Sequence, residues 1–126
     1  MYDRSLIPNL LDNAEKSLND VLEWTANIVS VNDFMISPSG MILLNAVCMK
    51  LFSIGEEIKS IDKRTDKRLF PQYPEVNWKE VMKMRDVIAH HYFEIDAEVV
   101  FDTLKNDVPP LLAAVRQIRE DLKLNP

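Results

Sequence analysis

Glycine and cysteine are nearly missing from this chain of 126 residues, which holds two of the first and one of the second. A single cysteine excludes an internal disulfide framework, and Cys48, set in an apolar run, fits a reduced and buried thiol. Scarce glycine beside plentiful Ala, Leu, Met, Lys and Glu favours helix over sheet. Long apolar runs are also lacking: the most apolar stretch, 41–55, contains Asn45 and Lys50 and is too short to span a bilayer. Asp3 and Arg4 occupy the N-terminus with no apolar region behind them, so no signal peptide is expected and the expected location is cytoplasmic. There is no Gly-rich phosphate loop, no internal repeat and no Cys/His pair at metal-ligand spacing. The length suits one domain, 1–126, with one core.

Positive charge is in deficit too. The net charge of −5 argues against generic nucleic-acid binding. The balance is uneven along the chain, with six acids and two bases in residues 1–35. Residues 59–68 reverse this, with five bases (Lys59, Lys63, Arg64, Lys67, Arg68) against Asp62 and Asp66. Such a run reads either as a solvated loop, the simpler case, or as a basic patch on an acidic body.

What is present is helical periodicity. From Leu6 to Val31, Leu11, Ala14, Leu18, Val21, Leu22, Thr25, Ile28 and Val29 step by three and four, one face of a long amphipathic helix. Ser37-Pro38-Ser39-Gly40 breaks the pattern and can cap the next helix. That second helix, near 39–60, is apolar almost all round, which either a homodimer or a flattened packing within one chain would explain. Gly55 inside it costs about 1 kcal/mol relative to Ala, a cost that a close helix crossing would justify. Residues 61–76 read as loop. Asn77 with Glu80 caps a third helix through Val81, Met84, Val87 and Ile88; Asp96 caps a short fourth; Asn106-Asp107-Val108-Pro109-Pro110 opens the last. The expected fold is all-α, an antiparallel bundle of about five helices.

Both histidines of the chain stand together in Arg85-Asp86-Val87-Ile88-Ala89-His90-His91-Tyr92-Phe93. Asp86 and His90, four apart, stack on one helix face, where the carboxylate can accept a ring N–H and fix the tautomer. Arg85 and His90 are about 140° apart on a continuous helix, so a straight helix does not aim both at one phosphate. The helix must fray at the histidines, or a second protomer must complete the site. A histidine titrating near pH ~6.5 suits proton transfer with an RNA 2′-hydroxyl, and an arginine suits a phosphate clamp, with no metal required. On these residues alone, His and Arg favoured by a helix C-terminus account for the same pattern.

The Arg-x4-His-x-Tyr spacing resembles the HEPN superfamily of small helical proteins, and within it the HepT-like ribonuclease toxins. The likeness extends to Ile54-Gly55-Glu56-Glu57, to Pro74-Glu75-Val76-Asn77-Trp78, to Arg85-Asp86 through Tyr92-Phe93 with Ile95-Asp96, and to Asn106-Asp107-Val108-Pro109. The resemblance implies a helical dimer with the motif in a cleft between protomers, acting as a metal-independent RNA endonuclease without cofactor. It also implies the toxin half of a pair whose antitoxin is a minimal nucleotidyltransferase that transfers AMP onto the motif tyrosine. Carried over by position, Arg85 and His90 are catalytic, Asp86 and His91 supporting, and Tyr92 the modified residue. RNA, a second copy and the nucleotidyltransferase are the expected partners, and neither DNA nor a membrane is. The competing expectation is a non-catalytic module that holds a nucleotide or docks a nucleotidyltransferase.

Overall fold

The computed structural model describes residues 6–88 and 95–124, apart from the side chains of Arg85 and Val87. The described residues form helices and turns without a strand: α1 (Leu6–Trp24), α2 (Asn32–Met35), α3 (Pro38–Arg64), α4 (Trp78–Met82), α5 (Met84–Ile88), α6 (Ala97–Asp102) and α7 (Val108–Leu124). The α4–α5 pair acts as one bent element, so α1, α3, α4–α5, α6 and α7 give the expected all-α bundle of about five helices.

Helix α3 is the axis of the bundle and packs against α1, α4, α5 and α6, while α7 closes over α1. Its buried ridge of Leu44, Val47, Leu51, Ile54, Ile58 and Ile61 meets Leu11, Leu18 and Val21 of α1 in one core that also holds Leu111, Val115 and Ile118 of α7. Cys48 is buried there, and burial pushes its thiol up to about 11, which keeps it protonated and unreactive at neutral pH. The α1 and α7 helices run antiparallel: Arg119 pairs with Asp12 and Glu15, and Arg116 reaches Asn19.

The caps read from the sequence are present. Ser37 Oγ accepts from the Gly40 N–H, Asn77 Oδ1 from Glu80, and Asp96 Oδ1 from Glu98 and Val99. A side chain at Gly40 would run into the Asp33 carbonyl, which is why no larger residue fits there.

The structure differs from the sequence reading in four places. The first helix ends at Trp24 rather than near Val31. Thr25 donates its hydroxyl to the Val21 carbonyl, Ile28 N–H turns back to Thr25, and Asp33 accepts from Val29 and Ser30, so local hydrogen bonds replace the helical ladder. The second helix runs on to Arg64, so half of the basic run is helical and only the rest is turn. Beyond it a short 3-10 turn, Phe70–Gln72, stacks Phe70 on Trp78 at 4.1 Å, and the Trp78 indole donates to the Tyr73 carbonyl. The third helix breaks at Lys83. Finally, α6 flows into α7 through a π-helical turn, Thr103–Asp107, closed by Val108 N–H on the Thr103 carbonyl. Pro109 and Pro110 have no N–H to continue an ordinary ladder backward, so the backbone widens just before them.

Candidate active site

A glycine and a bent helix set the position of the motif. Gly55 lets α3 approach the α4–α5 bend closely: a Cβ there would lie 3.0 Å from the Val81 carbonyl oxygen and 3.6 Å from Met84 Cβ. The expected reason for the glycine, a close crossing, is therefore met. At the bend, Lys83 N–H points at both the Lys79 and Glu80 carbonyls, at 3.1 Å each, and Asp86 N–H returns to the Lys83 carbonyl at 2.8 Å. Arg85 follows at once, as the second residue of α5. The helix thus breaks before the arginine, at Lys83, a position the sequence reading did not mark. Whether it frays at the histidines or a second protomer completes the site lies outside the described residues.

Asp86 sits exposed on α5. Ile88, the last residue of that helix, is fully buried and anchors it in the core. Its carbonyl accepts from the Asp96 N–H at 3.3 Å, so the end of α5 and the cap of α6 lie side by side. His90, His91 and Tyr92 fall between these two residues and lie outside the described residues, as does the side chain of Arg85. The stacking of Asp86 on His90 and the convergence of Arg85 with His90 lie outside them too.

Beside Met84 opens a cleft of about 300 Å³, walled by Val76, Val81, Met84 and Pro110 and carrying Glu75, Glu80 and Asp107. Burial, reinforced by the charges of Glu80 and Asp102, raises the Asp107 carboxyl above its usual range. The sequence marked Asn106-Asp107 only as a turn before the last helix, and it contained no signal that Glu75 and Glu80 would face the same space. On the far side of α3, Lys50 reaches Asp20 at 3.1 Å and covers the Trp24 ring at 5.3 Å. Nearby Glu57 has its carboxyl raised by burial, an effect that Lys50 opposes. Among the described residues no group of three or more His, Cys, Asp or Glu is placed to hold a metal ion. None of their helices is long and apolar enough to cross a membrane.

The exposed bases separate into two kinds. Arg116 and Arg119 are engaged by Glu15 and Asp12 of α1. The bases at the end of α3 are not so engaged. Much of the apolar exposure lies on and just before α3: Met41, Ile42 and Met49 stand 47%, 71% and 68% exposed, with Met35 and Ile36 at 51% and 75%, while Leu6, Trp24, Val29 and Leu124 are exposed elsewhere. One chain does not cover this face of its second helix.

An all-α bundle with an Arg-x4-His segment that starts in its third helical element defines a helical domain of the HEPN kind. The profile of the Ribonuclease HepT-like family matches residues 15–118, and the chain belongs to this family. The matched span contains Arg85, Asp86, His90, His91 and Tyr92. Among curated relatives, "Putative RNase MJ0127" of Methanocaldococcus jannaschii is 28% identical over 120 residues, covering 95% of this chain and 89% of that protein. "Probable ribonuclease HepT" of Thermococcus cleftensis is 39% identical over 75 residues, 60% of this chain and 64% of that protein. "Putative RNase TTE0752" of Caldanaerobacter subterraneus subsp. tengcongensis is 30% identical over 95 residues, 75% and 79% respectively. No solved structure matches this chain significantly.

Proposed function

We propose that this chain is a metal-independent endoribonuclease that works as a homodimer and serves as the toxin of a toxin–antitoxin pair. The observation that carries the reading is membership of a ribonuclease family over a span that includes the Arg85-to-Tyr92 segment. His90 takes the proton of an RNA 2′-hydroxyl as that oxygen attacks the adjacent phosphorus. The imidazolium so formed gives its proton to the 5′-oxygen as the bond from phosphorus to that oxygen breaks, and the products are a 2′,3′-cyclic phosphate and a 5′-hydroxyl. Arg85 holds the phosphate and the charge that builds on its oxygens in the transition state. Asp86 orients His90, and His91 supports it. The second protomer supplies what one α5 cannot: its exposed stripe of Ile42 and Met49 is the kind of apolar face that a stable dimer buries.

Control follows from the same segment. Transfer of AMP onto Tyr92 by a minimal nucleotidyltransferase would place bulk and negative charge beside the phosphate site and exclude RNA. A second reading, a non-catalytic module that holds a nucleotide or docks such an enzyme, draws on the acidic surface and on Arg116 and Arg119 being committed to α1. The deciding experiment is RNA cleavage in EDTA by wild type and His90→Ala, with product ends analysed. Cleavage by wild type alone, giving cyclic phosphate ends, is the expected result. Equal cleavage by both removes His90 from the mechanism, and no cleavage by an unmodified wild-type dimer favours the binding module.

A further inference from the structure

We propose that the C-terminal end of α3 and the turn after it bind the phosphate backbone of single-stranded RNA, through Lys63, Arg64, Lys67 and Arg68. The choice of RNA as occupant rests on the ribonuclease reading above; the surface itself is read from the structure. All four side chains are exposed. None has a carboxylate within ion-pair range among the described residues, and Arg64 spends one N–H on the Ser60 hydroxyl only. By contrast Lys16, Lys50, Lys59, Arg116, Arg119 and Lys123 all face carboxylates. Lys79, Lys83 and Lys105 are exposed and face no carboxylate among the described residues either, but they are scattered over α4, the bend and the π turn. The end of α3 instead gathers four such bases within six residues of a chain of net charge −5. Asp62 and Asp66 lie within the run, and Asp62 is half-buried with its carbonyl turned to the Lys67 N–H.

The backbone beneath these side chains is fixed. Asp66 and Lys67 adopt left-handed conformations, with φ of 55° and 61°, uncommon for residues with a side chain. They are held by Lys67 N–H on the Asp62 carbonyl at 2.8 Å, by Arg68 N–H on Thr65 at 3.0 Å, and by the buried Thr65 hydroxyl on Ile61 at 2.9 Å. A turn closed in this way presents Lys67 and Arg68 side by side with little backbone entropy left to lose on binding. The patch is tied to the motif by helix geometry. Gly55, Lys59 and Lys63 lie four residues apart, on one ridge of α3. Gly55 lies against the α4–α5 bend, where an added Cβ would come within 3.6 Å of Met84, the residue before Arg85. Along that ridge the distance from the crossing to Lys63 is about 12 Å. A strand whose scissile phosphate is at Arg85 would pass its flanking phosphates over this end of α3.

The test measures binding apart from cleavage. A fluorescent single strand of about 20 nucleotides, 2′-O-methylated so that it cannot be cut, is titrated by anisotropy at several salt concentrations. Against wild type, the variant Lys63→Gln/Lys67→Gln/Arg68→Gln is expected to bind about tenfold more weakly near 50 mM salt, with a salt slope lower by about 2. Lys67→Gln alone, which leaves every other contact in place, should show about a third of that change in slope. Equal affinity and slope in folded variants overturn the proposal. So does an unchanged RNA slope with lost binding to polyglutamate, which would make this a surface for an acidic protein. If wild type binds the strand as expected but leaves the unmodified RNA whole, the ribonuclease reading fails and the RNA surface stands.

Discussion

Arg119 of α7 donates to Glu15 of α1 across 2.7 Å and stands 3.4 Å from Asp12, a bidentate clasp between the helices that open and close the chain. Both partners are largely covered, with Arg119 28% and Glu15 21% exposed, so the pair is worth more than a free surface contact. Arg119→Ala should lower stability by about 1 kcal/mol in urea denaturation. Because the guanidinium is committed, the same change should leave RNA affinity where it was. A parallel loss of affinity would place α7 on the RNA surface after all.

Gly55 sets the depth at which the α4–α5 bend seats on α3. In an open helix Gly→Ala would stabilise by about 1 kcal/mol. Here the new methyl meets a backbone oxygen at 3.0 Å, so Gly55→Ala should forgo that gain. Gly55→Leu should cost about 2 kcal/mol and depress cleavage by moving Arg85. A urea midpoint for Gly55→Leu equal to wild type would show that the crossing is not tight.

The exposed apolar stripe predicts assembly. Ile42→Asp with Met49→Asp should convert the dimer to a monomer in sedimentation velocity and abolish cleavage. Protomer stability should change by less than about 0.5 kcal/mol per site, because both side chains face away from the core. An unchanged sedimenting mass would sink the dimer through this face.

Tyr73 donates its hydroxyl to Asp121 at 2.6 Å, joining the segment before α4 to the end of α7. Burial first, then the hydrogen bond and charge of Asp121, push the Tyr73 hydroxyl up to about 12 from its ordinary 10.0. The stabilisation is complete below pH 10 and is lost as pH rises toward 12. At the other end, the Tyr73 hydrogen bond, then that of Gln117, lowers the Asp121 carboxyl from its usual 3.8, a contribution that disappears as pH falls below that value. Tyr73→Phe should therefore lose stability at neutral pH, and its deficit should close between pH 10 and 12. Ultraviolet titration should show the phase near 12 missing in the variant; a deficit constant through that window would assign the loss to packing.

These relationships separate what the sequence discloses from what it hides. Caps are local, so Ser37, Asn77 and Asp96 announce three helix starts through a side-chain oxygen and a nearby N–H. Ridges are legible for the same reason. The end of α1 is not, because Ile28 keeps the helical period and is buried even though it sits on a turn. The break at Lys83 depends on how α4–α5 meets α3, and no window of residues contains that. The π turn has a local cause in Pro109 and Pro110, which marked a helix start without saying that α6 would run into it. At the site, the motif residues are readable as a string, but the commitment of Arg116 and Arg119 to acids about a hundred residues away is not. Nor is the acid-lined cleft beside Met84, gathered from two separated segments, 75–84 and 103–110.

The hydrogen bond from Asp96 to the Ile88 carbonyl has an evolutionary reading. The last residue of α5 and the cap of α6 are tied to each other directly, so these two helix ends keep their places whatever residues join them. Residues between them can be exchanged, added or removed while α5 and α6 keep their register. The scaffold is in this sense a socket, and the segment that carries the chemistry is an insert that selection can rewrite without asking the fold to change.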